Sequence, residues 1–211
     1  MTELYFGTTD DFDVQEFQNR KVIDEINMTM SAFNCVLPDN AGIYCSSEVT
    51  SGRRFYFDLL LPHGVRSDDE LKKKLGEQEH KRIKTALIEA NVARSLKFTE
   101  GLRGRGLVYL VNPGPFFARG FDQQHYLYLW EWVIIEKIYE IFFNEDWQYS
   151  NGCTFEFAVA AKKGIPQFDH LGNLMSLRQA IEMVEQAIAE LKKHQCLVGT
   201  LEHNLALLQG L

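Results

Sequence analysis

Short runs of apolar residues alternate with longer segments of helical period along this chain, and that alternation constrains the fold more than any other sequence feature. Residues 42–47 (GIYCSS) are apolar until a polar Thr-Ser-Gly turn and read as a first buried strand. Residues 107–111, 139–144 and 165–169 read as three more. Between and around them lie helical segments. Residues 14–33 carry Val14, Phe17, Val22, Ile26 and Met30 at three-to-four spacing, and Pro38, Asp39, Asn40 and Gly42 then break the chain. A long helix is expected from Ser67, a candidate N-cap with Glu70 as its capping-box partner, to about Lys97, closed by Gly101, Gly104 and Gly106. Residues 123–138, 150–163 and 174–193 follow the same period, with Gly164 and Ser176 as caps, and a shorter helix ends the chain. The run FYFDLLL at 55–61 is compatible with helix or strand.

Strands separated by helices imply parallel pairing through right-handed crossovers. The expectation is therefore an α/β fold, Rossmann-like or flavodoxin-like, with a parallel sheet of four or five strands and helices on both faces. Extra helices stand at each end. The chain divides into an N-terminal helical extension (1–40), an α/β domain (41–175) and C-terminal helices (176–211). At 211 residues and 45% hydrophobic, it can bury one substantial core.

Composition removes several classes of function. The net charge of −7 opposes binding to a nucleic-acid polymer, which needs a positive footprint. No run of eighteen apolar residues suggests a membrane span, and the start MTELYFGTTDDFD lacks the basic and apolar regions of a secretory signal, so a cytoplasmic protein is expected. Cys35, Cys45, Cys153 and Cys196 have no metal-ligand or redox spacing, and the six histidines form no HExxH pattern. No metal and no cofactor are expected. GLRGRG is not a dinucleotide fingerprint, because its glycine spacing is wrong and a strand follows it.

In such folds ligands sit at the C-terminal strand edges. The loops after Cys45, Val111 and Asn144 would line that edge. The segment from Trp147 to Asp169 is the most informative: a polar Ser-Asn-Gly turn starts a helix, and a lone carboxylate, Glu156, sits early in an apolar stretch. A carboxylate held there can attack an anomeric carbon whose transition state is cation-like. The plainer alternative is that Glu156 serves as a helix-capping acid. Phe116 and Phe117, in the Pro-rich loop, are candidate base-stacking residues, against a plain role in the core.

The segment SNGCTFEFAVAAKKGIP resembles the active-site motif of the nucleoside 2-deoxyribosyltransferase-like superfamily, through Ser150, Gly152, Glu156, Ala160, Gly164 and Pro166. With Trp147 it is also similar to a poorly characterised bacterial and phage branch. The run IYCSSEVTSGRR resembles the first strand and loop of 2'-deoxynucleoside 5'-phosphate N-hydrolases, although Ser46-Ser47-Glu48 departs from the usual glycine and Glu48 would oppose a phosphate. Val111-Asn112-Pro113 is a further partial match. The resemblance spans about residues 41–175.

The resemblance implies cleavage of the N-glycosidic bond of a (deoxy)nucleoside or its 5'-monophosphate, by hydrolysis or base transfer. Glu156 would be the nucleophile. A general acid on the helix before the third strand is implied, and Glu131 is the nearest match among Glu131, Glu136 and Glu140, with Asp146 as another possibility. Tyr44, Ser46, Ser47, Ser51, Gly52, Arg53, Asn112, Pro113, Ser150 and Gly152 would bind substrate, with Phe116 and Phe117 on the base. A homodimer is expected, both from the resemblance and from the apolar stripe Leu174, Leu177, Ile181, Val184, Ile188 and Leu191. The alternatives are a non-catalytic nucleotide-binding or sensing domain, an enzyme that cleaves NAD, and a structural interaction protein.

Overall fold

The computed structural model describes residues 20–211. Val14 and Phe17 of the expected first helix lie outside the described residues. The remainder of that helix is α1 (Arg20–Val36), which buries Val22 and Ile26. The chain continues through β1 (Gly42–Ser46), α2 (Asp68–Leu75), α3 (Glu77–Gly104), β2 (Leu110–Val111), α4 (Gln123–Lys137) and β3 (Ile138–Phe143). It ends with α5 (Asn151–Lys163), β4 (Gln167–Phe168), α6 (Leu177–Lys193) and α7 (Gly199–Gln209). The strands form one all-parallel sheet in the order β2-β1-β3-β4. This is a Rossmann-like α/β fold with additional helices. The strand order reverses direction between β1 and β3, which makes their C-terminal ends the crevice of the sheet.

All five residues of β1 are buried, as a central parallel strand covered on both faces requires. Alternation then sorts its side chains. Tyr44 joins the main core with Val111, Ile141 and Phe143, on the side of α4 and α5. Ile43 and Cys45 point the other way and meet Leu102 and Phe98 of α3 together with Phe142. Helix α5 is buried continuously from Cys153 to Ala160 because it lies inside the main core and has no solvent face to spare.

Several boundaries differ from expectation. The long helix after Ser67 is two helices, broken at Gly76, whose φ of +80° suits glycine. Ser67 caps α2 as expected, but the Glu70 carboxylate accepts the backbone N–H of Arg66 (2.9 Å) rather than that of Ser67. Gly101 does not end α3, which closes at Gly104. Buried Leu102 anchors its last turn on the sheet, which outweighs the roughly 1 kcal/mol cost of the helical glycine at 101. The strand expected at 107–111 is only Leu110–Val111, because Tyr109 adopts a positive φ of 54°. The fourth strand shortens to Gln167–Phe168, and 55–61 forms a π-helical turn over Phe55–Leu60.

Ser176 caps α6 in a capping box with Gln179. Leu174 lies before this helix and is exposed, whereas Val184, Ile188 and Leu191 are buried within the chain, where α6 packs on α7 and on the turn Trp147–Tyr149. The C-terminal half of the stripe that suggested a second subunit is thus covered by the chain itself. Among the described residues no helix is long and apolar enough to cross a membrane.

Candidate functional site

The site is built at the C-terminal end of β1. Because side chains alternate along a strand, Tyr44 and Ser46 point to the same face, toward α5. There the Tyr44 hydroxyl donates to Glu156 Oε1 at 2.7 Å and the Ser46 hydroxyl donates to Glu156 Oε2 at 2.6 Å. Both carboxylate oxygens are therefore held by hydroxyl donors from the central strand. Ser150 is the N-cap of α5 and accepts the Cys153 N–H, so Glu156 stands six residues past the cap, in the second turn. A capping role for Glu156 is excluded by that position.

Glu156 is 7% exposed. Burial pushes its carboxyl up to about 7, and the hydrogen bonds from Ser46 and Tyr44 pull the other way without cancelling the effect. Burial, with the neighbouring Glu156 charge adding to it, also raises Tyr44 well above the ordinary phenol range, which keeps it a donor.

Glu156 opens into a cavity of about 370 Å³. Its walls come from the loop after β1 (Ser47, Val49, Thr50, Ser51), the loop after β2 (Pro113 to Phe117), the start of α5 (Ser150, Gly152, Cys153) and the first turns of α4 (Gln123, Tyr126, Leu127, Trp130). Ile88 and Val92 of α3 complete it. The volume lies near the lower end of the usual ~300–1,000 Å³ for small-molecule sites. Phe116 packs edge-on against Trp130, with ring centroids 5.2 Å apart, and Trp130 in turn meets the Tyr44 ring at 6.0 Å. The buried Ser47 Oγ has no hydrogen-bond partner among the described residues, and a ligand hydroxyl in the cavity would satisfy it.

Of the residues expected at the site, Ser47, Ser51, Pro113, Phe116, Phe117, Ser150, Gly152 and Glu156 line this one cavity. Tyr44 and Ser46 sit behind it as the donors to Glu156. The other four do something else. Glu131 is buried on α4 and does not line the cavity; its neighbour Trp130 does, and adjacent helical residues point about 100° apart. The Arg53 guanidinium lies over the Phe57 ring, 4.7 Å from its centroid. Asn112 shapes its own loop, donating to Ser95 Oγ and accepting the Gly114 N–H. Gly52, at φ +115°, lies directly against Glu48.

Sequence reasoning missed the role of Glu48. It does not face the cavity. Its Oε1 accepts from Arg94 Nη1 at 2.6 Å and its Oε2 accepts the Arg53 N–H at 3.2 Å, so this ion pair, buried on the Glu48 side, pins the loop that lines the cavity. Burial raises the Glu48 carboxyl to about 7, with Arg94 opposing. Tyr126 and Trp130, within the aromatic stretch from Phe116 to Trp132 that could stack on a base, also line the wall. The chain matches no protein-family model, no curated protein and no solved structure.

Proposed function

We propose that the protein cleaves the N-glycosidic bond of a nucleoside-sized substrate, with Glu156 as the nucleophile. One observation carries this reading: a single buried carboxylate, gripped on both oxygens by hydroxyl donors, forms the floor of an aromatic-walled cavity at the sheet crevice. An oxocarbenium-like transition state develops positive charge at C1', and a pre-positioned carboxylate stabilises that charge directly. Attack by Glu156 forms a glycosyl ester as the C1'–N bond breaks, and the base leaves with the electron pair of that bond and takes up a proton from solvent where it needs one. Water, or a second base, then releases the sugar. Phe116, Phe117 and Trp130 offer ring faces to the departing base, and Ser47 and Ser51 offer hydroxyls to the sugar.

A carboxyl raised to about 7 is partly ionised at neutral pH, and approach of a cation-like C1' favours the ionised form. The test is base release, followed by liquid chromatography. Wild type and Glu156→Gln are each incubated with nucleosides and nucleoside monophosphates, with and without an acceptor base. Free base with the wild type and none with the variant is the expected result. A wild-type protein that frees no base under any of these conditions defeats the proposal.

A further inference from the structure

Four aromatic rings, those of Phe116, Phe117, Tyr126 and Trp130, face the same cavity as the Glu156 carboxylate. Phe116 stands nearly perpendicular to both Trp130 (81°) and Tyr126 (85°), so the rings that line the wall lie in more than one plane. The face of an aromatic ring is electrostatically negative and attracts a cation within about 6 Å of its centroid. Rings set around a carboxylate are the chemistry that holds an organic cation. Among the described residues lining the cavity there is no lysine, arginine or histidine to repel one, and Glu156 is the sole carboxyl group.

The second observation concerns protons. A neutral purine or pyrimidine leaves as an anion unless an acid protonates it, and a positioned acid contributes about 10²–10⁴-fold. Glu156 is committed to C1', and Glu131 does not reach the cavity. A base already alkylated at a ring nitrogen needs no such proton.

We propose that the preferred substrate is an N-glycoside whose base carries a fixed positive charge, such as a pyridinium riboside or an N7-alkylated purine nucleoside, without a phosphate. The proposal rests on Glu156 acting as nucleophile. A Glu156 oxygen forms the bond to C1' as the C1'–N bond breaks. The electron pair of that bond stays on the ring nitrogen, cancels its positive charge, and a neutral base departs. Water then attacks the glycosyl ester at C1', the sugar leaves with a hydroxyl group, a proton goes to solvent and the Glu156 carboxylate is restored. No step requires a second acid.

The experiment compares kcat/KM for nicotinamide riboside and 7-methylguanosine with that for guanosine and uridine. Alongside it, calorimetry measures binding of the 1-methylnicotinamide cation and of neutral nicotinamide to wild type and Glu156→Gln. Expected are at least about 100-fold faster turnover of the charged glycosides and about tenfold tighter binding of the cation, a difference that Glu156→Gln removes. Neutral nucleosides cleaved as well as charged ones would overturn this proposal while leaving the glycosidase reading intact. If nothing is cleaved but the cation still binds selectively through Glu156, the cation site stands and the glycosidase reading falls. If nothing is cleaved and the cation shows no preference, both fall.

Discussion

Replacing Glu156 by glutamine makes the protein's stability respond differently to pH, and the size of that difference follows from the site. The carboxyl titrates near 4.5 when exposed and near 7 in the folded chain, because burial penalises its charge more than Tyr44 and Ser46 relieve it. A folded value above the unfolded one means that the native state holds the proton longer. Between pH 4.5 and about 7 the unfolded chain has already ionised while the native chain has not, so stability falls as pH rises through that window and levels off above it. The gap converts to about 3 kcal/mol at 1.36 kcal/mol per pH unit. Glutamine cannot ionise, so the variant lacks this loss, and its own repacking cost is the same at every pH. Thermal unfolding of both proteins from pH 4.5 to 9 measures the difference directly. Relative to its value at pH 4.5, the variant should gain about 6–12 °C over wild type by pH 8, given roughly 2–4 °C per kcal/mol for a chain of this size. Contributions from other groups, Glu48 included, cancel between the two proteins. A difference that stays flat with pH would show that the hydroxyl donors outweigh burial and that Glu156 is ionised throughout.

Other perturbations have equally definite outcomes. For a charged substrate, kcat/KM should rise with pH through about 7 as Glu156 ionises; in Tyr44→Phe the half-maximal point should move up by about one to two units, since a hydrogen bond to a charged group contributes roughly 1.5–3 kcal/mol. Arg94→Met removes the partner of Glu48 and should cost about 2 kcal/mol in urea unfolding at pH 8, less than a fully buried pair because Arg94 is partly exposed. That loss should shrink at pH 6, where Glu48, already raised to about 7, takes up a proton. Gly52→Ala should cost at least about 2 kcal/mol, because an added Cβ would stand 2.1 Å from Glu48 Oε2 at a φ of +115°. Phe117 is 82% exposed, so Phe117→Ala should leave stability within about 0.5 kcal/mol yet weaken binding of an aromatic ligand about tenfold.

The parts of this site legible in the sequence are those set by local chemistry. Ser150 announces the start of α5 by capping it, Gly164 its end at a φ of +75°, and Glu156 stands out because every residue around it in that helix is apolar or small. Pro113 to Phe117 had to be a loop, and the fold placed it over the sheet crevice. What was not legible depends on contacts distant in sequence or on helical phase. Glu48 and Arg94 lie 46 residues apart, and nothing local announces their pairing. The resemblance points to Glu131, but one step along a helix turns a side chain by about 100°, and Trp130 takes the place on the wall. Gly76 and Gly101 look alike in sequence. Burial of Leu102 carries α3 through the second, while a positive φ interrupts the chain at the first.

The alternation along β1 has a consequence for how such a protein can change. Tyr44 and Ser46 belong to a strand with no exposed residue, and Ile43 and Cys45, which alternate with them, are locked into the opposite face by α3. Slipping the strand by one position would hand Glu156 a thiol and an alkyl group in place of its two hydroxyls. The apparatus around the carboxylate is therefore frozen by the same packing that holds the sheet. Part of the cavity wall, at 49–51 and 113–117, lies on loops outside the strand. Selection, natural or in the laboratory, can rewrite what the cavity admits at these loops while the strand that holds the Glu156 carboxylate stays fixed.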